Sequence, residues 1–95
     1  MAAYVIAEVN VDDPDTYASY RAGVPATLEK YGGTFRIRGG KSETVEGGWT
    51  PGRIVVIEFA DVPAAKRWYH SPEYQAILPN RLKASRGKLI IVEGA

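Results

Sequence analysis

The sequence predicts an α+β fold: a four-stranded antiparallel sheet with its helices packed on one face. Three observations predict it. Four β-rich runs, near residues 4–11, 34–38, 53–59 and 88–93, are spread along the chain. Capped helical runs separate the first from the second and the third from the fourth. No helical pattern lies between the second and third.

Tyr4-Val5-Ile6-Ala7-Glu8-Val9-Asn10-Val11 opens the chain as a strand. Asp12-Asp13-Pro14-Asp15 then announces a helix, with a capping aspartate, an early proline and negative charge at the helix N-terminus. Tyr17, Tyr20, Val24, Leu28 and Tyr31 recur at helical spacing. Pro25 is expected to interrupt and kink that helix, and Gly32-Gly33 to stop it. Thr34-Phe35-Arg36-Ile37-Arg38 alternates as a second strand, its arginines suited to a sheet edge. Residues 39–52 form a glycine-rich connection with a possible short strand at Glu43-Thr44-Val45-Glu46. Arg53–Phe59 is the third strand. Asp61-Val62-Pro63 starts a helix carrying Ala65, Trp68 and Tyr69, and Ser71-Pro72-Glu73 caps a further one that Pro79 kinks or ends. Lys88–Glu93 closes the chain as the fourth strand. With right-handed crossovers this order is the ferredoxin-like βαββαβ arrangement, with strand order 4-1-3-2.

The chain has 95 residues, enough for one domain spanning 1–95. Twelve basic against eleven acidic side chains leave a net charge of +1, without the basic excess of a nucleic-acid binder. Arg81, Lys83, Arg86 and Lys88 crowd together near the C-terminus, where a solvated helix end accounts for them. The absence of cysteine excludes disulfides, thiolate nucleophiles, iron–sulfur clusters and cysteine-bound zinc. The opening Met1–Val5 has no basic leader, and no run nears the roughly 20 apolar residues of a membrane span. A cytoplasmic location is expected.

The strands also imply a partner. Helices cover one face of such a sheet, and a half-solvated sheet alternates apolar with polar residues. Here Tyr4 and Ile6 oppose Val5, Ala7 and Val9, while Ile54-Val55-Val56-Ile57 and Leu89-Ile90-Ile91-Val92 are apolar on both faces. Homodimerisation through the sheet is the simplest way to hide the second face. A hydrophobic ligand lying on it is the alternative.

The segments Arg38-Gly39-Gly40, Glu46-Gly47-Gly48-Trp49-Thr50-Pro51-Gly52-Arg53, Ile57-Glu58-Phe59 and Ala65-Lys66-Arg67-Trp68-Tyr69-His70-Ser71-Pro72-Glu73-Tyr74 resemble the uncharacterised DUF1330 family over essentially the whole chain. The resemblance implies the dimeric α+β barrel superfamily, in which ferredoxin-like subunits pair by their sheets. Superfamily relatives include cofactor-independent monooxygenases, small-lactone isomerases and haem-handling enzymes. The family has no settled activity, so no catalytic role carries over.

Candidate chemistry is sparse. His70, the lone histidine, cannot build a zinc site but is of the type that titrates near neutrality and is a candidate general base; just before the Ser71 cap, an exposed junction residue is the commoner outcome. Glu8 and Glu58 are carboxylates on apolar strands and candidate acid–base groups, expected on the same face but at opposite ends of the sheet. Arg36 and Arg38 come nearer to Glu8, two strand spacings or roughly 9.6 Å away, and structural ion pairs are the simpler reading. Trp49, on its glycine-flanked loop, either closes a pocket or anchors the loop. Tyr17, Tyr20, Tyr31, Trp68, Tyr69 and Tyr74 form an aromatic set that is mostly core. A pocket between helices and sheet would have Tyr20, Trp68 and Tyr69 among its walls, with Arg38 and Arg53 as further ligand-binding candidates and Arg53 with Arg81 as a carboxylate clamp. A haem site would have only Asn10, Trp68 and His70 to draw on. Asp12, Asp13 and Asp15 lack calcium-loop spacing, and Gly40-Lys41-Ser42 lacks the first glycine of a phosphate loop, so no metal and no nucleotide cofactor is expected.

The expected function is therefore that of a small homodimeric domain that binds or transforms a small organic molecule, with no nucleic acid or membrane partner. The alternatives are a ligand sensor without catalytic activity, or a module whose helical face docks another protein.

Overall fold

The computed structural model describes residues 1–95. Strands β1 (Ala3–Val11), β2 (Thr34–Arg38), β3 (Arg53–Phe59) and β4 (Ser85–Glu93) form one antiparallel sheet in the order β2-β3-β1-β4. This is the expected order read from the other edge. Helices α1 (Pro14–Tyr31), α2 (Val62–Tyr69) and α3 (Pro72–Ala84) complete the chain.

Each helix begins as its sequence dictates. The Asp13 carboxylate accepts from the Thr16 amide and hydroxyl, Asp61 from the Ala64 amide, and Ser71 Oγ from the Tyr74 amide. Gly32 ends α1 in the left-handed region at φ 79°, and the Gly33 amide reaches the Leu28 carbonyl. Gly33 is required by packing: a Cβ there would lie 2.8 Å from side-chain atoms of both Leu28 and Phe59.

Four expectations need correction. Pro25 does not interrupt α1, which runs through it to Tyr31. The Arg21 carbonyl, which an amide at position 25 would have used, instead accepts from Arg38 Nη2 at 3.4 Å. Pro79 does not end α3, because Pro79 and Gln75 both lie on the exposed side, where water reaches the freed carbonyl. No strand forms at residues 43–46, which have no partner in the sheet. The basic crowd near the C-terminus is dispersed, because Arg81 is buried and Arg86 pairs with Asp12.

Burial alternates along β1, with Ala3, Val5, Ala7 and Val9 buried and facing the helices. They join Ile57, Phe59, Trp68, Tyr74 and Leu78 in the core. The opposite face is open. Registers align Ile37, Val56, Ile6 and Ile90 into one apolar row across all four strands, and Ile37 and Ile90 are 44% and 55% exposed. The chain exposes 5993 Å², more than the roughly 5,400 Å² expected for a compact monomer of this mass.

Candidate functional site

A cleft opens between the helix layer and the sheet. Val5, Ala7 and Val9 of β1 with Val55 and Ile57 of β3 make its floor. Tyr17, Tyr20 and Val24 of α1 and Trp68 of α2 lie above, Phe35 and Leu89 at the sides. Its cavity volume is about 30 Å³, rising to about 470 Å³ when all the space out to the open mouth is counted. The space is thus a narrow slot with apolar walls.

Its only charged lining residues are Arg21, Arg38, Arg53 and Arg81; no carboxylate faces it. They are graded by depth: Arg21 and Arg38 are exposed at the mouth, Arg53 is half-buried and Arg81 is 6% exposed. None of the four takes part in an ion pair, since the pairs formed are Lys30–Glu73, Arg36–Glu58 and Arg86–Asp12. The Nε atoms of Arg53 and Arg81 are buried without a hydrogen-bond partner.

Local structure explains how the arginines arrive there. Side chains alternate along a strand, so Arg36 and Arg38 would share a face. A bulge between Phe35 and Ile37 breaks that rule: Phe35 pairs with Ile57, Ile37 with Val56 and Arg38 with Val55. Arg36 therefore stays on the open face, its Nε 2.8 Å from Glu58 Oε1, while Arg38 turns to the cleft. Arg38 also stacks on Phe35, at 4.4 Å to the ring centroid. Arg53 pairs with Val9 and so faces the helices; its Nη2 donates to the Arg38 carbonyl at 3.4 Å. Gly39, at φ 70°, leaves it room, because a Cβ there would collide with the guanidinium. Arg81 reaches in from α3, and the guanidiniums of Arg53 and Arg81 each lie 6.0 Å from the rings of Tyr17 and Tyr20 respectively.

Behind this wall the aromatics are fixed by polar contacts. The Tyr20 and Tyr74 hydroxyls share a hydrogen bond of 2.8 Å, and Trp68 Nε1 donates to Thr27 Oγ1 at 2.9 Å. Burial pushes both phenols above their ordinary pKa, so each is a neutral hydrogen-bonding group near pH 7.

The structure brings Tyr20, Arg38, Arg53 and Trp68 together in the cleft. It does not bring the other candidates there. Trp49 lies over the opposite sheet face, 57% exposed, with its indole nitrogen 3.1 Å from Glu8 Oε2. The same oxygen accepts from the Gly52 amide at 3.1 Å, so Glu8 ties down the loop and does not meet Arg36 or Arg38. Glu58 is held by Arg36 at the other end of that face. Tyr69 borders an adjoining surface groove with Leu82, Gly87 and Ile91, which shares Arg81 and Leu89 with the cleft. His70 caps α2 and is exposed, its ring edge-on to Tyr69. Asn10 lies on the open face and Trp68 in the core, so they do not converge with His70 on a haem. Sequence reasoning missed Arg21 and Phe35 as lining residues, and neither carries a local signal that sets it apart from a surface helix or edge-strand residue.

An antiparallel ferredoxin-like sheet under three helices, with an arginine-lined apolar cleft between the layers, defines the class. The chain belongs to the DUF1330 family, a domain of unknown function whose model matches residues 2–95. No curated protein matches it. Among solved structures it is similar to a protein of unknown function from Rhodopseudomonas palustris, at 17% identity and a TM-score of 0.79, covering 99% of this chain and 82% of that one. A dimeric ferredoxin-like protein of unknown function from Bacteroides fragilis matches at 15% identity and 0.66, covering 98% and 96%. SnoaB, a cofactor-independent oxygenase from Streptomyces nogalater, matches at 14% and 0.67, covering 99% and 93%. At these identities the likeness shows the fold and carries no activity across. No helix is long and apolar enough to cross a membrane.

Proposed function

We propose that the protein is a homodimeric domain that takes a small organic molecule into the cleft between helices and sheet. The observation that carries this reading is the cleft itself, a slot with apolar walls and a few convergent polar groups. Binding is favoured over acid–base catalysis, since His70, Glu8 and Glu58 all lie outside the lining and the phenols of Tyr20 and Tyr74 are held neutral by burial. A docking role for the helical face has less support: Leu82 is the one large hydrophobic residue of the helices that is strongly exposed. Dimerisation is supported by the apolar row on the open sheet face and by the dimeric relative with this fold.

Native mass spectrometry of freshly purified protein tests both parts. The expected species has twice the 10.4 kDa chain mass and carries a retained small molecule. Ala7→Phe, which fills the cleft floor, is expected to keep the dimer and lose the retained mass. Retention unchanged in Ala7→Phe would remove the cleft from consideration, and a monomer would remove the dimer.

A further inference from the structure

Four arginines around one apolar slot, with no carboxylate among the lining residues, leave positive charge without a partner. The deepest two matter most. A guanidinium cannot shed its proton to escape burial, as a lysine or histidine does. Arg81 is 6% exposed, and its Nε and that of Arg53 have no hydrogen-bond acceptor. Aromatic rings at 6.0 Å offset only a small part of the desolvation. The fold nonetheless keeps charge at this spot. The β2 bulge turns Arg38 to the cleft when plain alternation would leave it outside, and Gly39 clears the space that Arg53 occupies. The other basic residues without an ion-pair partner, Lys41, Lys66, Arg67, Lys83 and Lys88, are exposed to water, so the buried unmatched charge is confined to the cleft.

We propose that the ligand of the cleft is a small organic carboxylate, its anionic head held by Arg53 and Arg81 and its apolar body lying against Ala7, Val55 and Phe35. A carboxylate supplies the acceptors that the Nε atoms of these guanidiniums lack, and a planar head suits their fork geometry. The tightness of the cleft limits that body to a small one. Arg21 and Arg38 at the mouth draw the anion inward and are the first charges it meets. This inference rests on the cleft being the binding site.

The test is titration of the intact protein with benzoate, phenylacetate and hexanoate, each beside its neutral amide, followed calorimetrically and by the Trp68 indole NMR signal. The acids are expected to bind, with the amides weaker by about 10- to 100-fold, as expected for the loss of a charge-assisted hydrogen bond. Arg81→Met and Arg53→Gln are expected to remove that preference. Arg81→Lys is expected to restore it in part, since lysine keeps the charge without the fork. Ligand-free Arg81→Met is also expected to melt at or above the wild-type temperature, because an apolar side chain of similar length replaces a buried charge that has no ion-pair partner. Amides that bind as well as acids, with the arginine variants unchanged, would overturn the carboxylate and leave the cleft standing. Absence of binding by acids and amides alike would overturn both. An Arg81→Met variant that melts lower and keeps the acid preference would assign Arg81 a structural role.

Discussion

Glu73 accepts hydrogen bonds from Lys30 and from the Tyr31 hydroxyl, the latter at 2.7 Å, so one carboxylate ties the start of α3 to the end of α1. Those bonds, the Lys30 one foremost, hold its pKa at about 2, below the ordinary 4.5, and the same pair raises Lys30 above 10.5. A carboxylate whose pKa is lower folded than unfolded gives stability that is complete above its unfolded value and is lost as pH falls toward the folded one. The melting-temperature difference between wild type and Glu73→Gln is therefore expected to be constant at neutral pH and to shrink between about pH 4.5 and pH 2. Thermal denaturation at several pH values checks this; a difference that does not change below pH 4.5 would mean the contact contributes nothing in solution. The aspartates of the chain show the other use of acidic residues. Asp13 and Asp61 cap helices, as their places before Pro14 and Pro63 indicate, and Asp12 pairs with Arg86, which sequence spacing does not reveal.

At the scale of the element, the junction between α2 and α3 is the most constrained. Ser71 is buried, with Oγ donating to the Trp68 carbonyl at 2.7 Å and accepting from the Tyr74 amide at 3.1 Å. It joins two fully buried aromatic residues, Trp68 and Tyr74, whose ring centroids are 4.1 Å apart. Ser71→Ala is expected to cost about 1–2 kcal/mol in urea denaturation. The exposed cap variant Asp13→Ala is expected to cost less, because water replaces its lost contacts. Equal losses would show that the burial of the Ser71 cap adds nothing. The Ser-Pro-Glu signal for this cap is legible in sequence because capping is local. The bulge in β2 is not. Thr34-Phe35-Arg36-Ile37-Arg38 alternates cleanly, and only pairing with β3 inserts the extra residue that sends Arg38 to the opposite face from its reading.

At the scale of the molecule, two faces of one sheet have separate tasks. The helix side encloses the core and the cleft; the open side carries the row Ile37, Val56, Ile6 and Ile90 and the loop fastened by Glu8 to Trp49 and Gly52. Ile90→Glu puts a charge at the β4 end of that row, at a side chain already 55% exposed, so the subunit fold is expected to survive. Analytical ultracentrifugation is expected to find a dimer for wild type and a monomer for Ile90→Glu, with unchanged far-ultraviolet circular dichroism. A variant that still dimerises would move the interface off the open face.

The sequence by itself determined the elements, their order and the presence of two apolar faces, because strand and helix periods, caps and crossover handedness act over a few residues or follow general rules of chain topology. Tertiary structure alone decided which side chains share a cavity. Arg38, Arg53 and Arg81 lie on three elements, and their convergence depends on a bulge, a register and the reach of α3 over the sheet. It also set Glu8 against Trp49 rather than against an arginine, since a loop folding back over the sheet answers to contacts distant in sequence. Local pattern fixes which way a residue points within its own strand; only the packed sheet fixes what it meets.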